Sequence, residues 1–299
     1  MGFADDTNLM VFGKEATSNC RRPEAAWAVC EKWARTRGME FAPQKSELIH
    51  FSRAHRADLQ PVQLGPATIA PVESARFLGI WLDRKLRWRR HLRQVHQKLK
   101  TQQFALTKLA ASTWGCSLAR AREIYTKVIR SLITYGASAF HTPSKNNKPR
   151  GIARNLASAQ SRCLRVVAGA YRATPVRSLE TETYVPPIDL YLNKRLADFE
   201  ERLERTGKAD LIRTACAAIA TQLRRRPGPR RGRPRRRVED LPPHRDSGTA
   251  KAQWARRWTG STLATDEALE RDWKARWERL YSKSIANPGF QSMPLHSTF

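Results

Sequence analysis

The chain has 299 residues, 40% of them apolar, and its 55 Lys and Arg against 27 Asp and Glu give a formal net charge of +28 at pH 7. This length allows one large domain or two ordinary ones with a sizeable core. The charge makes DNA or RNA the simplest partner, with a membrane surface as the weaker alternative. No apolar run approaches the ~18 residues that span a bilayer, and the N-terminus lacks the layout of a secretory signal. We expect an intracellular, nuclear protein without a membrane partner.

The cysteines predict neither a metal site nor a disulfide framework. They lie far apart, with no Cys-x-x-Cys pair and no His at ligand spacing, so we expect reduced core residues. The chain also lacks a Gly-rich phosphate loop and a Gly-x-Ser-x-Gly nucleophile motif, which leaves most familiar enzyme classes unsupported. The five cysteines are Cys20, Cys30, Cys116, Cys163 and Cys216.

The chain opens with a pair of carboxylates between short apolar segments. Gly2 to Thr7 reads Gly-Phe-Ala-Asp-Asp-Thr and is followed by an apolar run that Gly13 closes. This pattern predicts a β-hairpin whose tip holds Asp5 and Asp6. Such a pair suits Mg²⁺, although an isolated acidic pair is more often a surface turn that serves only solubility.

A helix and a strand are predicted next. Pro23 to Arg37 is amphipathic, with Pro at its first turn and Gly38 at its end. Residues 45–51 predict a strand that begins at Lys45. Lys45 is either a surface charge or a residue that faces the hairpin, where an ammonium can protonate a leaving pyrophosphate. Residues 61–71 predict a small hairpin, because short apolar stretches alternate there with Pro and Gly.

A second strand leads into a strongly basic segment. Arg76 to Asp83 is β-prone, and Gly79 within it permits close backbone approach. Aromatic residues among basic ones suit a nucleic-acid backbone, while a solvated helix face is the alternative. The basic residues that follow the strand, around Trp88, are Arg84, Lys85, Arg87, Arg89, Arg90 and Arg93.

The remainder is helical apart from one segment that cannot fold. Apolar periodicity predicts helices over 89–111, 118–141, 152–171 and 190–206, whose apolar faces form a bundle core. Residues 224–237 contain only Arg, Pro and Gly, so they have nothing apolar to bury and predict a disordered linker. Within them, Arg231-Gly232-Arg233-Pro234 is either similar to an AT-hook or part of a general nucleic-acid or nuclear-import patch. The pairs Trp254/Trp258 and Trp273/Trp277 each fall on one helix face.

Three motifs in this order resemble successive palm motifs of a reverse transcriptase. They are Phe3-Ala4-Asp5-Asp6, then Lys45-Ser46-Glu47, then Phe77 to Asp83 before a basic helix. The similarity is to the enzymes of non-LTR, LINE-like retrotransposons of the fungal kind. In that family Phe/Tyr-Ala-Asp-Asp is the metal-binding hairpin, and the palm ends in a primer-grip strand before a helical thumb.

The resemblance implies an α+β fold with four parts. Residues 1–88 would be the C-terminal part of the palm with the primer-grip strand, and 89–210 the thumb. Residues 211–250 would be the disordered basic linker. Residues 251–299 would be a Trp-rich helical connector, similar to the segment between the thumb and RNase H domains of such elements.

The resemblance also implies residue roles. Asp5 would ligate Mg²⁺ (or Mn²⁺), with Asp6 beside it as the second carboxylate, and Lys45 would protonate the leaving pyrophosphate. The partners would be an RNA template, a DNA primer or target and, in the intact enzyme, a dNTP. The implied nucleic-acid contacts are Phe77, Leu78, Gly79, Trp81, Arg84, Lys85, Arg87, Arg89 and Arg90, with Arg231 and Arg233 of the linker.

One departure from the family limits the expected activity. In the family a further Asp on an upstream strand completes the metal site and the fingers contact the nucleotide, whereas here the hairpin begins at residue 2. One carboxylate pair cannot hold two ions in the geometry of in-line phosphoryl transfer. We therefore expect a truncated RNA-directed DNA polymerase that is inactive in isolation. The alternative is a non-catalytic nucleic-acid-binding protein that uses the basic thumb helices and residues 224–237.

Overall fold

In a computed structural model the chain divides into two compact units. Met1–Gln94 and Gly207–Arg256 form one, which we call the hairpin unit, and Val95–Thr206 and Arg257–Phe299 form the other, the helical unit. The structure contains α-helices together with short antiparallel strands. The assignment of these elements to palm, thumb and connector stays a prediction. The structure describes residues 2–3, 6–13, 15–52, 59–110, 115–143, 149, 151–212, 214–215 and 265–285, with the backbone alone at 2, 3, 6 and 280–285.

The N-terminal hairpin is tighter than the sequence predicts. Strands β1 (Gly2–Phe3) and β2 (Asp6–Thr7) are antiparallel, with Gly2 opposite Thr7 and Phe3 opposite Asp6. Asp6 therefore belongs to a strand, and only residues 4 and 5 connect the two strands. The prediction that both aspartates lie at the tip is therefore wrong for Asp6. Asp5 itself lies outside the described residues.

Helix α1 (Ala16–Thr36) begins seven residues before the predicted start at Pro23. Pro23 inside the helix lacks the N–H that would bond to the carbonyl of Asn19. The longer helix buries Cys20, Trp27 and Ala34, so packing outweighs the loss of one backbone bond. Its partner is a hairpin of β3 (Val62–Leu64) and β4 (Ala67–Ile69), which the sequence predicted.

The predicted strand over residues 45–51 is absent. Pro43–Lys45 forms a 3₁₀ turn instead, in which the Lys45 and Ser46 N–H groups donate to the Ala42 and Pro43 carbonyls. Pro43 favours this turn because its ring fixes φ near the helical value. Leu48 alone makes an isolated bridge, to Pro71.

The predicted strand over residues 76–83 is two strands. Residues Leu78 and Gly79 form the turn between β5 (Ser74–Phe77) and β6 (Ile80–Asp83). Both have positive φ, 45° and 83°, as a two-residue type I′ hairpin turn requires. The apolar run that predicted one strand therefore folds back on itself.

In the helical unit, the predicted helix over 118–141 is divided by Gly136. α2 (Arg89–Leu109) precedes it, beginning among hairpin-unit residues. α3 (Leu118–Ile124) passes through a π turn at Tyr125–Ile129 into α4 (Arg130–Thr134). Gly136 has a φ of 68°, which ends that run before α5 (Ala137–Phe140).

Three further helices complete the bundle core. α6 (Gly151–Val167) and α8 (Ile188–Arg205) match predicted helices, and α7 (Val176–Glu182) was not predicted. The Tyr125 hydroxyl donates to Gln160 Oε1 at 2.8 Å, and Gln160 Nε2 donates to the Pro186 carbonyl at 3.0 Å. The largest fully buried apolar side chains are Leu106, Tyr125, Ile129, Ile133, Leu156, Leu164, Leu179, Val185, Ile188 and Leu192.

The last described helix is α9 (Asp266–Ile285), which packs on α8. Trp273 and Trp277 lie against the α8 side chains, as their i, i+4 spacing predicted, whereas Trp254 and Trp258 fall outside the described residues. Cys20 and Cys163 are buried, Cys30 and Cys116 are half-buried, and all four are free thiols. No helix in the described part of the chain has the length and apolarity to cross a bilayer.

A half-buried carboxyl lies between α7, α8 and α9. Glu180 lines a cavity of about 140 Å³ together with Asp189, Trp273 and Arg276. Burial raises the pKa of Glu180 to about 8; the Asp189 carboxylate raises it further, while Arg276 and the Gln160 amide oppose the increase. At pH 7 the folded protein therefore keeps this carboxyl protonated.

The raised pKa of Glu180 predicts a pH-dependent stability. A proton held in the folded state and released on unfolding stabilises the fold fully below pH 4.5, the ordinary pKa, and this contribution is lost as pH rises to about 8. Glu180→Gln keeps a neutral side chain at every pH. Relative to this variant, we expect the wild type to lose roughly 3 to 5 kcal/mol of unfolding free energy between pH 4.5 and 8.5, at about 1.4 kcal/mol per pKa unit.

Urea unfolding followed by circular dichroism at 222 nm, at several pH values, measures this difference. Glu182→Gln changes an exposed carboxyl of the same helix and is the matched control. If Glu180→Gln differs from the wild type by the same amount at pH 5 and pH 8.5, the carboxyl is not protonated in the fold.

Candidate nucleic-acid interface

The β5–β6 hairpin has one polar face and one apolar face. Opposite residues share a face, so the pairs Ser74/Asp83 and Arg76/Trp81 lie on one side. The pairs Ala75/Leu82 and Phe77/Ile80 lie on the other. Ala75 is buried and Arg76 is exposed, so the polar face is the accessible one. We call residues 74–93, the hairpin together with the first turn of α2, the hairpin–helix corner.

Arg90 is fixed on the polar face of this hairpin. Its guanidinium lies 3.8 Å from the centroid of the Trp81 ring, and its Nη1 donates to Ser74 Oγ at 2.8 Å. The cation–π contact is worth about 0.5 to 2 kcal/mol and holds a planar donor group in one orientation. Arg90 stays exposed, so its guanidinium is held in a fixed orientation at the surface.

Asp83 sets the turn that leads from β6 into α2. Its Oδ1 accepts a hydrogen bond from the Arg87 N–H at 2.8 Å, and its carbonyl accepts one from the Leu86 N–H at 2.8 Å. Asp83 was expected only as the last residue of the primer-grip strand. The available signal was an Asp at the end of a β-prone run, since Asp side chains commonly bond to backbone N–H groups of the following turn.

Backbone strain is concentrated in the hairpin–helix corner. Four described non-glycine residues have a positive φ, and three of them are Leu78 at 45°, Leu86 at 49° and Trp88 at 62°. Each such residue costs on the order of 1 to 3 kcal/mol, and strain of this kind clusters at functional sites. Leu78 is also 40% exposed at the tip of the hairpin.

The basic residues of the corner differ in their surroundings. The Arg84 side chain is only 12% exposed and its Nε lies 3.5 Å from Glu73 Oε1. Its position is therefore explained by a contact within the protein. The other five basic residues of the corner make no ion pair with any described residue. Lys85 is half-buried and the four arginines are exposed. The five are Lys85, Arg87, Arg89, Arg90 and Arg93.

The helical unit has a positive region of its own. The pKa of His96 on α2 is lowered by burial, then by the Arg162 guanidinium of α6 and the Lys100 ammonium of α2. The cations of the two helices therefore lie close enough to disfavour a further positive charge. A region of this kind attracts phosphate.

The described part of the chain does not bring the predicted catalytic residues together into a site. Asp5 is outside them, and of Asp6 only the backbone is described. Lys45 is exposed at the end of its 3₁₀ turn. No group of three or more His, Cys, Asp and Glu in the described ranges is arranged to hold a metal ion. The roles of Asp5, Asp6 and Lys45, and those of Arg231 and Arg233 outside the described ranges, stay predictions.

Comparisons with known proteins identify relatives. The chain is 26% identical over 204 residues to the RNA-directed DNA polymerase from mobile element jockey of Drosophila melanogaster, covering 67% of this chain and 21% of the relative. It is 23% identical over 188 residues to the putative 115 kDa protein in type-1 retrotransposable element R1DM of the same species, covering 63% and 18%. The chain is related to non-LTR retrotransposon reverse transcriptases.

A third relative agrees with this family. The probable RNA-directed DNA polymerase from transposon X-element of Drosophila melanogaster is 22% identical over 174 residues, covering 58% of this chain and 18% of the relative. The chain thus spans about a fifth of the length of these relatives. No family model and no solved structure matches. The resemblance to reverse transcriptases is confirmed, and the expected fungal origin has no support among these insect relatives.

We expect Leu78 to destabilise the hairpin and to strengthen nucleic-acid binding. Asn tolerates a positive φ better than Leu, and Asn-Gly is the favoured pair in a type I′ turn. We expect Leu78→Asn to raise the unfolding free energy of the hairpin unit by about 1 kcal/mol and to weaken binding to an RNA–DNA duplex several-fold. Thermal melting and fluorescence anisotropy measure the two effects. Unchanged affinity would show that the strained tip does not contact nucleic acid.

Arg90 should bind a phosphate. We expect Arg90→Ala to weaken duplex binding for every sequence tested and to reduce the slope of log affinity against log salt by about 1. Arg35→Ala is the matched control, because Arg35 is an exposed arginine of α1 that pairs with Glu31 at 3.0 Å. Equal slopes for the two variants would remove Arg90 from the interface.

Proposed function

We propose that this chain is the primer-grip and thumb portion of a retrotransposon reverse transcriptase, and that it binds the duplex of RNA template and DNA primer. The hairpin–helix corner carries this proposal. In it, three strained residues and four exposed arginines, 87, 89, 90 and 93, lie within sixteen positions of one another. Relatives named as RNA-directed DNA polymerases support the choice of a template–primer duplex as the ligand.

The grip would be electrostatic and independent of sequence. Arginines that neutralise phosphates release condensed counterions, so affinity falls steeply with salt. Arg90 is already stacked and hydrogen-bonded, so little conformational entropy is lost when it contacts a phosphate. The apolar tip at Leu78 and Gly79 would lie against the primer.

The chemistry would belong to the N-terminal hairpin. Asp5 and Asp6 would hold Mg²⁺ or Mn²⁺, which supplies Lewis-acid stabilisation of the phosphoryl oxygens when bound. Lys45 would donate a proton to the leaving pyrophosphate. A single carboxylate pair holds too few ligands for two ions, so we propose that this chain by itself grips a duplex and does not extend it.

Binding and extension test the two halves of this proposal. If the four exposed arginines each neutralise one phosphate, log affinity against log salt should have a slope of roughly −3.6 or steeper, at about 0.9 per contact. With Mg²⁺, an RNA template, a DNA primer and dNTPs, we expect binding without extension. Extension that stops on Asp5→Ala would contradict inactivity, and a flat salt response would contradict the grip.

A second candidate is a nucleic-acid-binding protein without any catalytic role. It is favoured by the nine arginines among the fourteen residues 224–237. The same salt titration distinguishes the two. Replacing Arg231 and Arg233 by Ala should leave most of the slope in place under the primer-grip proposal, whereas under the alternative it should reduce the slope more than Arg87→Ala with Arg89→Ala.

A further inference from the structure

Helix α9 is held in a groove of the helical unit by apolar anchors on one face. Leu269 and Trp273 are buried against Leu190 of α8, and Tyr191 and Trp277 pack beside them. The three α9 anchors have i, i+4 and i+8 spacing, as in an amphipathic helix bound to a groove. Their face is narrow, because α9 also carries five basic and five acidic residues.

One buried ion pair lies among these anchors. Arg276 of α9 donates from Nη1 and Nη2 to the two carboxylate oxygens of Asp189 on α8, at 2.9 and 2.6 Å. The side chains are 13% and 8% exposed. A fork of this kind is selective in geometry as well as in charge, and removal of one partner leaves the other desolvated and unpaired. The pair therefore fixes which helix fits and in which register.

Weaker contacts surround the pair. Lys194 of α8 bonds to Asp266, and the Tyr184 hydroxyl bonds to Glu270. The Arg177 guanidinium lies 5.3 Å from the Trp277 ring centroid, and the Tyr184 ring lies 5.6 Å from that of Trp273. Asp266, Glu270 and Tyr184 are exposed, so these polar contacts add little affinity, but they extend the match along α9.

We infer that the groove between α7 and α8 is a helix-docking site that recognises a Trp-x-x-Arg-Trp face, and that α9 of the same chain is its displaceable ligand. Docking covers two carboxyl groups, Asp189 and Glu180, in an otherwise strongly basic protein. An undocked α9 would expose both groups to solvent.

The covalent connection favours α9 of the same copy over that of a second copy. α9 lies on the same chain as the helices of the groove, and in the structure it fills that groove itself. Docking is therefore intramolecular, and linked modules reach effective concentrations on the order of 1 mM. A helix from another molecule at micromolar concentration cannot compete with it.

Full-length variants and a labelled peptide test the inference. The peptide covers Thr265–Ile285 in its wild-type sequence, and its binding is followed by fluorescence anisotropy. We expect the Arg276→Asp chain, whose own α9 is repelled by Asp189, to capture this peptide about 100-fold more tightly than the wild-type chain does. A peptide that carries Arg276→Asp should not be captured. The chain with both Asp189→Arg and Arg276→Asp should dock its own α9 again and capture neither peptide.

Arg271→Asp makes the same charge change on an exposed face of α9 and is the matched control, which should behave as the wild type does. Equal capture by the wild-type and Arg276→Asp chains would overturn the inference, and so would a folded Arg276→Asp chain that captures no peptide. Dimers of the wild-type chain at micromolar concentration, seen by light scattering, would overturn the assignment to the same copy.

A second measurement needs no charge reversal, in case Arg276→Asp prevents folding. A protease site replaces residues 246–250 of the wild-type chain, and the chain is cleaved there after purification. We expect the C-terminal fragment to remain bound and to be displaced by excess wild-type peptide, but not by the Arg276→Asp peptide. Immediate release of the fragment, or displacement by both peptides, would overturn the inference.

Discussion

The shortage of carboxylates is the constraint that shapes this protein. With 55 Lys and Arg against 27 Asp and Glu, most cations cannot have an anionic partner, and a buried guanidinium without one is costly. Several described arginines use aromatic faces and backbone carbonyls instead. Arg90 stacks on Trp81 and Arg130 on Tyr191, at 3.8 and 4.0 Å. Arg122 donates to the carbonyls of Thr183 and Tyr184, at 2.7 and 3.1 Å.

These arginine contacts stabilise the irregular segments between helices. Arg122 and Arg165 bind carbonyls in turns beyond helix ends, where backbone groups have no intrahelical partner, and Arg165 also donates to the Ser161 carbonyl of its own helix. Arg165 in this way connects the end of α6 to the segment before α7, through the carbonyls of Arg172 and Thr174. Neutral acceptors leave the positive charge in place, so the cations that stabilise the turns still contribute to the field that attracts phosphate.

The sequence predicted elements that depend on periodicity and missed those that depend on single residues. The long helices α2, α6 and α8 and the β3–β4 hairpin agree with their patterns because apolar spacing determines which face is buried. The strand predicted over 76–83 failed because Leu78 adopts a positive φ that is unfavourable for its type. No local propensity predicts this, since the surrounding contacts impose it.

The candidate site follows the same division. Composition was enough to predict a basic region after β6, and the spacing of Trp81 and Arg90 was visible in the chain. Their stacking depends on the reversal at Leu78 and on the turn that Asp83 holds, so it could not be read from one strand followed by one helix. Arg84 and Arg90 look alike in sequence, yet Arg84 is mostly buried beside Glu73 and Arg90 is exposed. Tertiary contact alone separates them.

Acidic and basic side chains also differ in how deeply they are buried, and this affects the charge available for binding phosphate. In the helical unit Asp189 is buried and Glu180 is half-buried, whereas Arg87, Arg89 and Arg93 of the hairpin unit are exposed. Glu180 is protonated at neutral pH because of its raised pKa, and Asp189 is neutralised by Arg276. Neither carboxyl therefore offsets the surface potential. The proton on Glu180 makes the helical unit more positive by one charge than an ionised Glu180 would, and this proton is held while α9 covers the carboxyl.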